Sequence, residues 1–214
     1  VGFAMSRTTE LRPPQFELDE IANSPGGPRA IIADLASAVK SMPIAMHKIG
    51  FVFMFQWYAM FIYWQFVSLS VGESVFGVTP EQKEAFQQAA GWSGLMNGSY
   101  NLVTMLAALV MLPIVVKFGG RIVHAGSLAL GGICLMWLST STVQWMSVLP
   151  MSGLGIFWAS AVGVPYLMVA SMVPARRSGV YMGVLNMMIV VPMLIQTLTF
   201  GWIYEHLLGS KATN

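Results

Sequence analysis

Four long stretches of the chain contain no Asp, Glu, Lys or Arg: 49–72 (24 residues), 85–116 (32), 122–175 (54) and 178–204 (27). An α-helix rises about 1.5 Å per residue, so about 20 apolar residues cross the hydrocarbon core of a bilayer. Three of the stretches suit one crossing each. The longest suits two, with a break at Ser139-Thr-Ser-Thr-Val-Gln144 and with Pro150 near the start of the next helix. The pattern predicts five spans, about 49–70, 92–116, 122–140, 148–173 and 179–204. The segments Leu106-Ala-Ala-Leu-Val-Met-Leu112 and Ile189-Val-Val-Pro-Met-Leu-Ile195 are apolar all round. Strands of a membrane barrel would alternate apolar and polar residues, so helices are expected.

Composition agrees. Only 9% of the 214 residues are charged and 56% are hydrophobic, against about 25% charged in a soluble domain. A soluble fold, a disulfide scaffold, a disordered tail and a basic nucleic-acid binder are excluded, which leaves an all-α integral membrane protein. Orientation follows from the positive-inside rule. With the N-terminal segment in the cytoplasm, Arg7, Arg12, Arg29, Lys40, Lys48, Lys117, Arg121, Arg176 and Arg177 lie inside, and only Lys83 and Lys211 outside. A multi-pass protein of the cell (inner) membrane is expected. The chain lacks an initiator Met, opens on an apolar Val1-Gly-Phe-Ala-Met5 and stops at Asn214 soon after the fifth span. The expectation is a piece of a longer protein; the alternative is a complete five-helix protein without its first residues.

Residues 1–48 read as a cytoplasmic loop. Within them 6–30 form a polar linker, where Arg12-Pro-Pro-Gln15 and Ser24-Pro-Gly-Gly-Pro28 argue against regular structure. An amphipathic helix is expected at about 29–41, with Ile31, Ile32, Leu35 and Val39 on one face. It either lies on the membrane or leads into the first span. The outer loop 71–91 carries Thr79-Pro-Glu-Gln-Lys-Glu84, a helix-start pattern. Lys117-Phe-Gly-Gly-Arg121 and Pro174-Ala-Arg-Arg-Ser178 read as tight cytoplasmic turns, and 205–214 as an outer tail. Gly155, Ala159 and Gly163, and the pairs Gly94/Gly98 and Gly179/Gly183, form small-residue ridges suited to close helix packing.

Enzyme motifs are absent, so neither catalysis nor a cofactor is expected. Cys134 reads as a small core residue, and His47, His124 and His206 as interfacial side chains without metal-ligand spacing. No carboxylate lies inside a span, so any proton-coupling acid lies outside these residues. Polar groups do occur within spans: Gln56 and Gln65 on the first; Asn97, Asn101 and Thr104 at i, i+4, i+7 on the second; Trp158, Ser160 and Tyr166 on the fourth; Asn186 and Thr197 on the fifth. The third has little beyond Ser127 and is expected to face lipid. Such amides either bridge helices or line a wet cavity. With indole and phenol rings they suit a sugar, which is apolar on its faces and hydroxylated at its edges. For Trp57, Tyr58, Tyr63 and Trp64, packing or interface anchoring is the readier reading.

Gly155-Ile-Phe-Trp-Ala-Ser-Ala-Val-Gly-Val-Pro-Tyr166 followed by Pro174-Ala-Arg-Arg-Ser-Gly-Val-Tyr-Met-Gly-Val-Leu-Asn186 resembles the tenth and eleventh helices of major facilitator carriers of the sucrose-transporter type, relatives of the plant sucrose/proton symporters and of animal solute carrier family 45. Met42-Pro-Ile-Ala-Met-His-Lys48 with Phe55-Gln-Trp57 resembles the family's entry to helix seven, and Thr8-Thr-Glu-Leu-Arg-Pro-Pro14 its central loop. The resemblance implies that the five spans are helices seven to eleven of a twelve-helix fold, with an absent six-helix N-terminal half. It implies a cavity lined by helices seven, eight, ten and eleven, and a coupling acid in the absent half. Lys117-Phe-Gly-Gly-Arg121 looks like the superfamily's cytoplasmic turn motif, but Val116 stands where an acid often occurs and Gly120 where a second cation does.

The expected function is secondary, proton-coupled transport of a sugar (sucrose or a related glycoside). Asn97, Asn101, Trp158 and Asn186 are the expected sugar contacts, with Gln56 and Tyr166 behind them. An exporter of apolar compounds and a non-transporting membrane sensor are the rivals.

Overall fold

The structure, a computed structural model, describes Gln15, Asp19 and residues 27–174 and 177–210, apart from the side chain of Ile31. The expectations for residues 1–14, for Ser24-Pro-Gly26, for Arg176 and for Lys211 fall outside these residues. The chain divides into two compact units, Val1–Ser41 and Met42–Asn214.

In the first unit, helix α1 covers Pro28–Ser41, with proline at its first position and Lys40 in its last turn. Ile32 and Val39 are exposed and Leu35 is half-buried. Gln15 and Asp19 are helical, and Gln15 Nε2 donates to Asp19 Oδ1 at 3.3 Å. At these two residues that corrects the expectation of an irregular linker throughout 6–30, and an i, i+4 amide–carboxylate pair suits helical backbone.

The second unit consists of five helices: α2 (Ile44–Val71), α3 (Lys83–Phe118), α4 (Gly120–Ser139), α5 (Gln144–Met172) and α6 (Ser178–His206). Each predicted span matches one of them, although 122–140 and 148–173 overrun α4 and α5 by one residue. Four, α3 to α6, are long and apolar enough to cross a membrane. The fifth, α2, has 28 residues that include Gln56, Trp57, Tyr58, Tyr63, Trp64 and Gln65. Side chains such as Leu109, Val116, Ile122 and Leu198 are more than two-thirds exposed. So much apolar surface suits a hydrocarbon surround.

Connections are short where the sequence supplies glycine or polar residues. Gly119 alone joins α3 to α4, and its φ of 83° is accessible to glycine at little cost. The chain breaks again between Ser139 and Gln144, at the polar run. A π-helical turn, Gly72–Phe76, ends α2 and closes on Gly77 at φ 65°. Before α3, Gln82 Oε1 accepts the Thr79 backbone N–H at 3.1 Å, as in a capping box. The Thr79 hydroxyl, and then a backbone hydrogen bond, hold the Glu81 carboxyl below its ordinary range.

Helix α5 is the spine of the unit, packing along α3 on one side and α4 on the other, while α2 pairs with α6. The contacts Trp92–Ser147 and Thr104–Gly155 advance together, so α3 and α5 run parallel. The contacts His124–Ser160 and Cys134–Gly153 advance in opposite senses, so α4 and α5 are antiparallel. The core between α2, α3 and α5 includes Met60, Tyr63, Met96, Tyr100, Met151 and Leu154. Thioethers fit the irregular gaps between crossing helices.

Close approach is concentrated at a few glycines. A Cβ at Gly155 would stand 2.6 Å from the Tyr100 carbonyl oxygen, and one at Gly131 2.6 Å from the Phe157 ring. Gly153 meets the buried Cys134 sulfur. The predicted ridges are corrected in part: Gly155 is a contact, but Gly94, Gly98, Gly163, Gly179 and Gly183 have open space where a side chain would stand. Spacing identifies a smooth helix face; it does not say which helix lies against it.

Candidate functional site: an aromatic and amide lining

On α2, Trp57 and Trp64 are two turns apart and therefore share a face. Both meet Trp158 of α5 edge to face, with ring centroids 5.4 Å and 5.1 Å apart. Phe53 and Phe157 extend this aromatic cluster. Beside it, Gln56 is buried, and among the described residues neither its Oε1 nor its Nε2 has a hydrogen-bond partner. The Trp57 Nε1 is buried and unpartnered as well.

Asn97 is half-buried on α3. Its Oδ1 accepts the Tyr63 hydroxyl of α2 at 3.0 Å, and its Nδ2 donates to the Ser93 carbonyl at 2.9 Å. Asn101, one turn on, is exposed and donates to the Asn97 carbonyl at 2.8 Å. Thr104 turns from that face to donate to the Gly155 carbonyl of α5 at 3.1 Å. Asn186 is exposed on α6, where its Oδ1 accepts the Tyr166 hydroxyl of α5 at 2.8 Å. The α2–α6 pair is tied by Gln196 Nε2 to Gln65 Oε1 at 3.1 Å, and by Tyr58 to Thr199 at 3.0 Å between hydroxyls.

The six sequence-derived residues therefore fall into three places. Asn97 and Asn101 are adjacent, Tyr166 and Asn186 are bonded to each other, and Trp158 lies in the indole cluster with Gln56 near Trp57. They do not converge on one cavity. Two cavities in the Met42–Asn214 unit lie elsewhere, both between α2 and α4. One, of about 340 Å³, includes Lys48, Arg121 and His124 in its wall; the other, of about 310 Å³, includes Tyr63, Ser70, Ser74 and Ser139. Among the described residues no group of three His, Cys, Asp or Glu side chains gathers where a metal could bind.

Several polar contacts escaped the sequence reading. Gln196 is almost wholly buried, and its Oε1 has no partner among the described residues. The available signal was an amide in the middle of an apolar helix, but its neighbour Thr197, which only back-bonds to Met193, was singled out instead. His124, near the start of α4, is buried against α5 and bonded through Nδ1 to Ser160 Oγ at 3.1 Å. Its position in the second turn of α4 puts it under α5.

A lipid-exposed helical bundle with aromatic and amide side chains turned between its helices is the architecture of a membrane carrier. The family model described as Major Facilitator Superfamily matches residues 6–197. The chain belongs to the Major Facilitator Superfamily. No curated protein and no solved structure matches it. As a major facilitator protein it is a multi-pass membrane transporter in general kind.

Proposed function

We propose that this major facilitator protein is a secondary active sugar transporter, proton-coupled, taking sucrose or a related glycoside. In this reading its five long helices all cross the membrane, as helices seven to eleven of twelve, and the cytoplasmic side carries the α2 N-terminus. An N-terminal six-helix half completes the pathway and supplies the coupling acid. The two halves rock about a site near the midplane.

One observation carries the reading. A buried amide with neither polar atom paired, Gln56, adjoins a three-indole cluster. An unsatisfied buried polar group costs about 1–3 kcal/mol, so its retention fits a partner that comes and goes. Sugar hydroxyls offer both donors and acceptors to a carboxamide, and indole faces pack against the apolar face of a pyranose. Asn97, Asn101, Asn186, Trp158 and Tyr166 act as contacts or as groups that hold the contacts in place.

The tyrosine bonds to Asn97 and Asn186 favour a second reading. If those amides only join helices, the pathway is aromatic and poor in free amides, as in an exporter of apolar compounds. Uptake of labelled sucrose by cells expressing the full-length protein separates the two. Asn97→Ala and Asn186→Ala are each expected to reduce uptake at least about tenfold, an effect of the size of one lost charge-free hydrogen-bond contact and its unpaired partner. Unchanged uptake in both variants would remove the sugar-contact assignment.

A further inference from the structure

The five helices of the Met42–Asn214 unit do not pack evenly. Helices α3 and α4 both lie closely along α5, and α2 lies closely along α6, whereas α2 with α3 and α5 with α6 approach each other little. Glycines follow the same division. Gly155 fits against α3, Gly131 and Gly153 lie between α4 and α5, and Gly50 of α2 fits against Met188 of α6. So do side-chain hydrogen bonds: Trp92–Ser147, Thr104–Gly155 and His124–Ser160 in the first set, Gln65–Gln196 and Tyr58–Thr199 in the second. The unit is therefore built as two blocks, α3–α4–α5 and α2–α6. Between them contact is made through long side chains, such as Met60 and Tyr63 against Met96, Tyr100 and Met151, and where Gly72 meets the Phe86 ring beside the chain connection from α2 to α3. Methionine side chains re-pack more readily than interlocked backbones do.

Two hydrogen bonds of the same chemistry cross between the blocks. Tyr63 of α2 donates to Asn97 of α3 at 3.0 Å, and Tyr166 of α5 donates to Asn186 of α6 at 2.8 Å. They stand at opposite ends of the unit. The Tyr63 hydroxyl also lies 3.6 Å from the Met151 sulfur of α5, and Tyr166 is 15 residues further along that helix. At a rise of 1.5 Å per residue, the two bonds are about 22 Å apart. Trp158 lies near the midpoint, and there it meets Trp57 and Trp64 of the other block. Pro150 and Pro165 adjoin Met151 and Tyr166, so α5 lacks a backbone donor near each bond.

We propose that the α2–α6 block tilts against α3–α4–α5 about the Trp158 contact, and that the two tyrosine–asparagine bonds are the ties that hold its two ends. Both ties are made in this structure, which is the arrangement between the two tilts. Release of either tie frees its own end while the other stays held. Edge-to-face rings at the centre are held by packing and tolerate a change of angle. Each tie is one neutral hydrogen bond, enough to bias two arrangements several-fold and weak enough to release. Tyr63, which reads from the sequence as a packing residue, is thereby a positioning residue for Asn97, as Tyr166 is for Asn186. The motion is internal to this unit, in addition to any rocking of one half of the carrier against the other. It depends on neither the transported solute nor the coupling ion.

The test measures distances between the blocks by pulsed electron resonance, in the full-length protein freed of its native cysteines. Spin labels on Gln88→Cys and Glu205→Cys report the Tyr63 end, and labels on Lys48→Cys and Lys117→Cys the Tyr166 end; all four side chains are exposed. Tyr63→Phe should raise the ratio of wide to narrow distances at the first pair roughly fivefold, the equivalent of one neutral hydrogen bond, and leave the second pair unchanged. Tyr166→Phe should do the reverse. Asn97→Leu should reproduce Tyr63→Phe, and the two together should add nothing further, since they remove the same bond. Should Tyr63→Phe fail to fold, Asn97→Leu carries the same test. The proposal is overturned if neither phenylalanine variant moves either distribution, if both variants widen both ends alike, or if the effects of Tyr63→Phe and Asn97→Leu add. Sucrose uptake has no part in this readout, so failure of the sugar assignment and failure of the tilt are separate results.

Discussion

Buried carboxamides differ in consequence according to what reaches them. Asn97 has both polar atoms engaged, one by Tyr63 and one by its own helix. Gln196 has one engaged, through Gln65. Gln56 has neither. These differences give an expected outcome: Gln56→Leu, nearly isosteric and apolar, should stabilise the purified full-length protein by about 1–3 kcal/mol while abolishing sugar uptake. Thermal melting in detergent and uptake assays on the same preparation check the two parts. Loss of both stability and transport would mean that the amide has a structural partner in the complete protein. The polar residues themselves were legible in the sequence, because an amide inside an uncharged run stands out. Asn97 and Asn101 were legible as neighbours, because i, i+4 positions are adjacent on any helix. The tyrosine that each of Asn97 and Asn186 bonds was not legible, because it lies on another helix, 34 residues away for Asn97 and 20 for Asn186. Partner choice across helices depends on helix rotation, which a pattern apolar on every face leaves undetermined.

At the scale of elements, uncharged length gave the helices and glycine or polar runs gave their breaks. The single-residue reversal at Gly119 and the break after Ser139 both follow from local chemistry. The π turn at Gly72–Phe76 does not, since nothing in Gly-Glu-Ser-Val-Phe distinguishes it from an α-helical end. Helix pairing was visible only where side-chain size forces it. Gly155 sits under the Tyr100 carbonyl, so Gly155→Val must push α3 away from α5. Overpacking of this kind costs typically about 1–3 kcal/mol, and more when backbone must move, and a marked fall in melting temperature is expected. Gly163→Ala enters open space and replaces glycine in a helix interior. It should leave melting unchanged or raise stability by up to about 1 kcal/mol. Parallel melting curves of the two variants check both. Equal destabilisation would show that Gly163 also faces a neighbour.

For the molecule as a whole, membership of the superfamily accounts for the lipid-facing exterior and the long apolar helices, and the amides and amphipathic rings of α2 acquire a reason. A helix bordering an aqueous pathway is free to carry Gln56, Gln65 and four large amphipathic rings where a lipid-facing helix is not. Open glycine faces on α3 and α6 are likewise surfaces on which further helices can pack closely. The central claim is that the aromatic and amide side of α2, α5 and α6 borders water and sugar, not acyl chains. It is tested most directly by placing a single cysteine at Asn186 in a cysteine-free full-length protein that includes Cys134→Ala. The rate of reaction with a membrane-impermeant thiol reagent is then measured with and without sucrose. The account predicts ready labelling that sucrose slows. Labelling by a lipid-soluble reagent alone, untouched by sucrose, would contradict it.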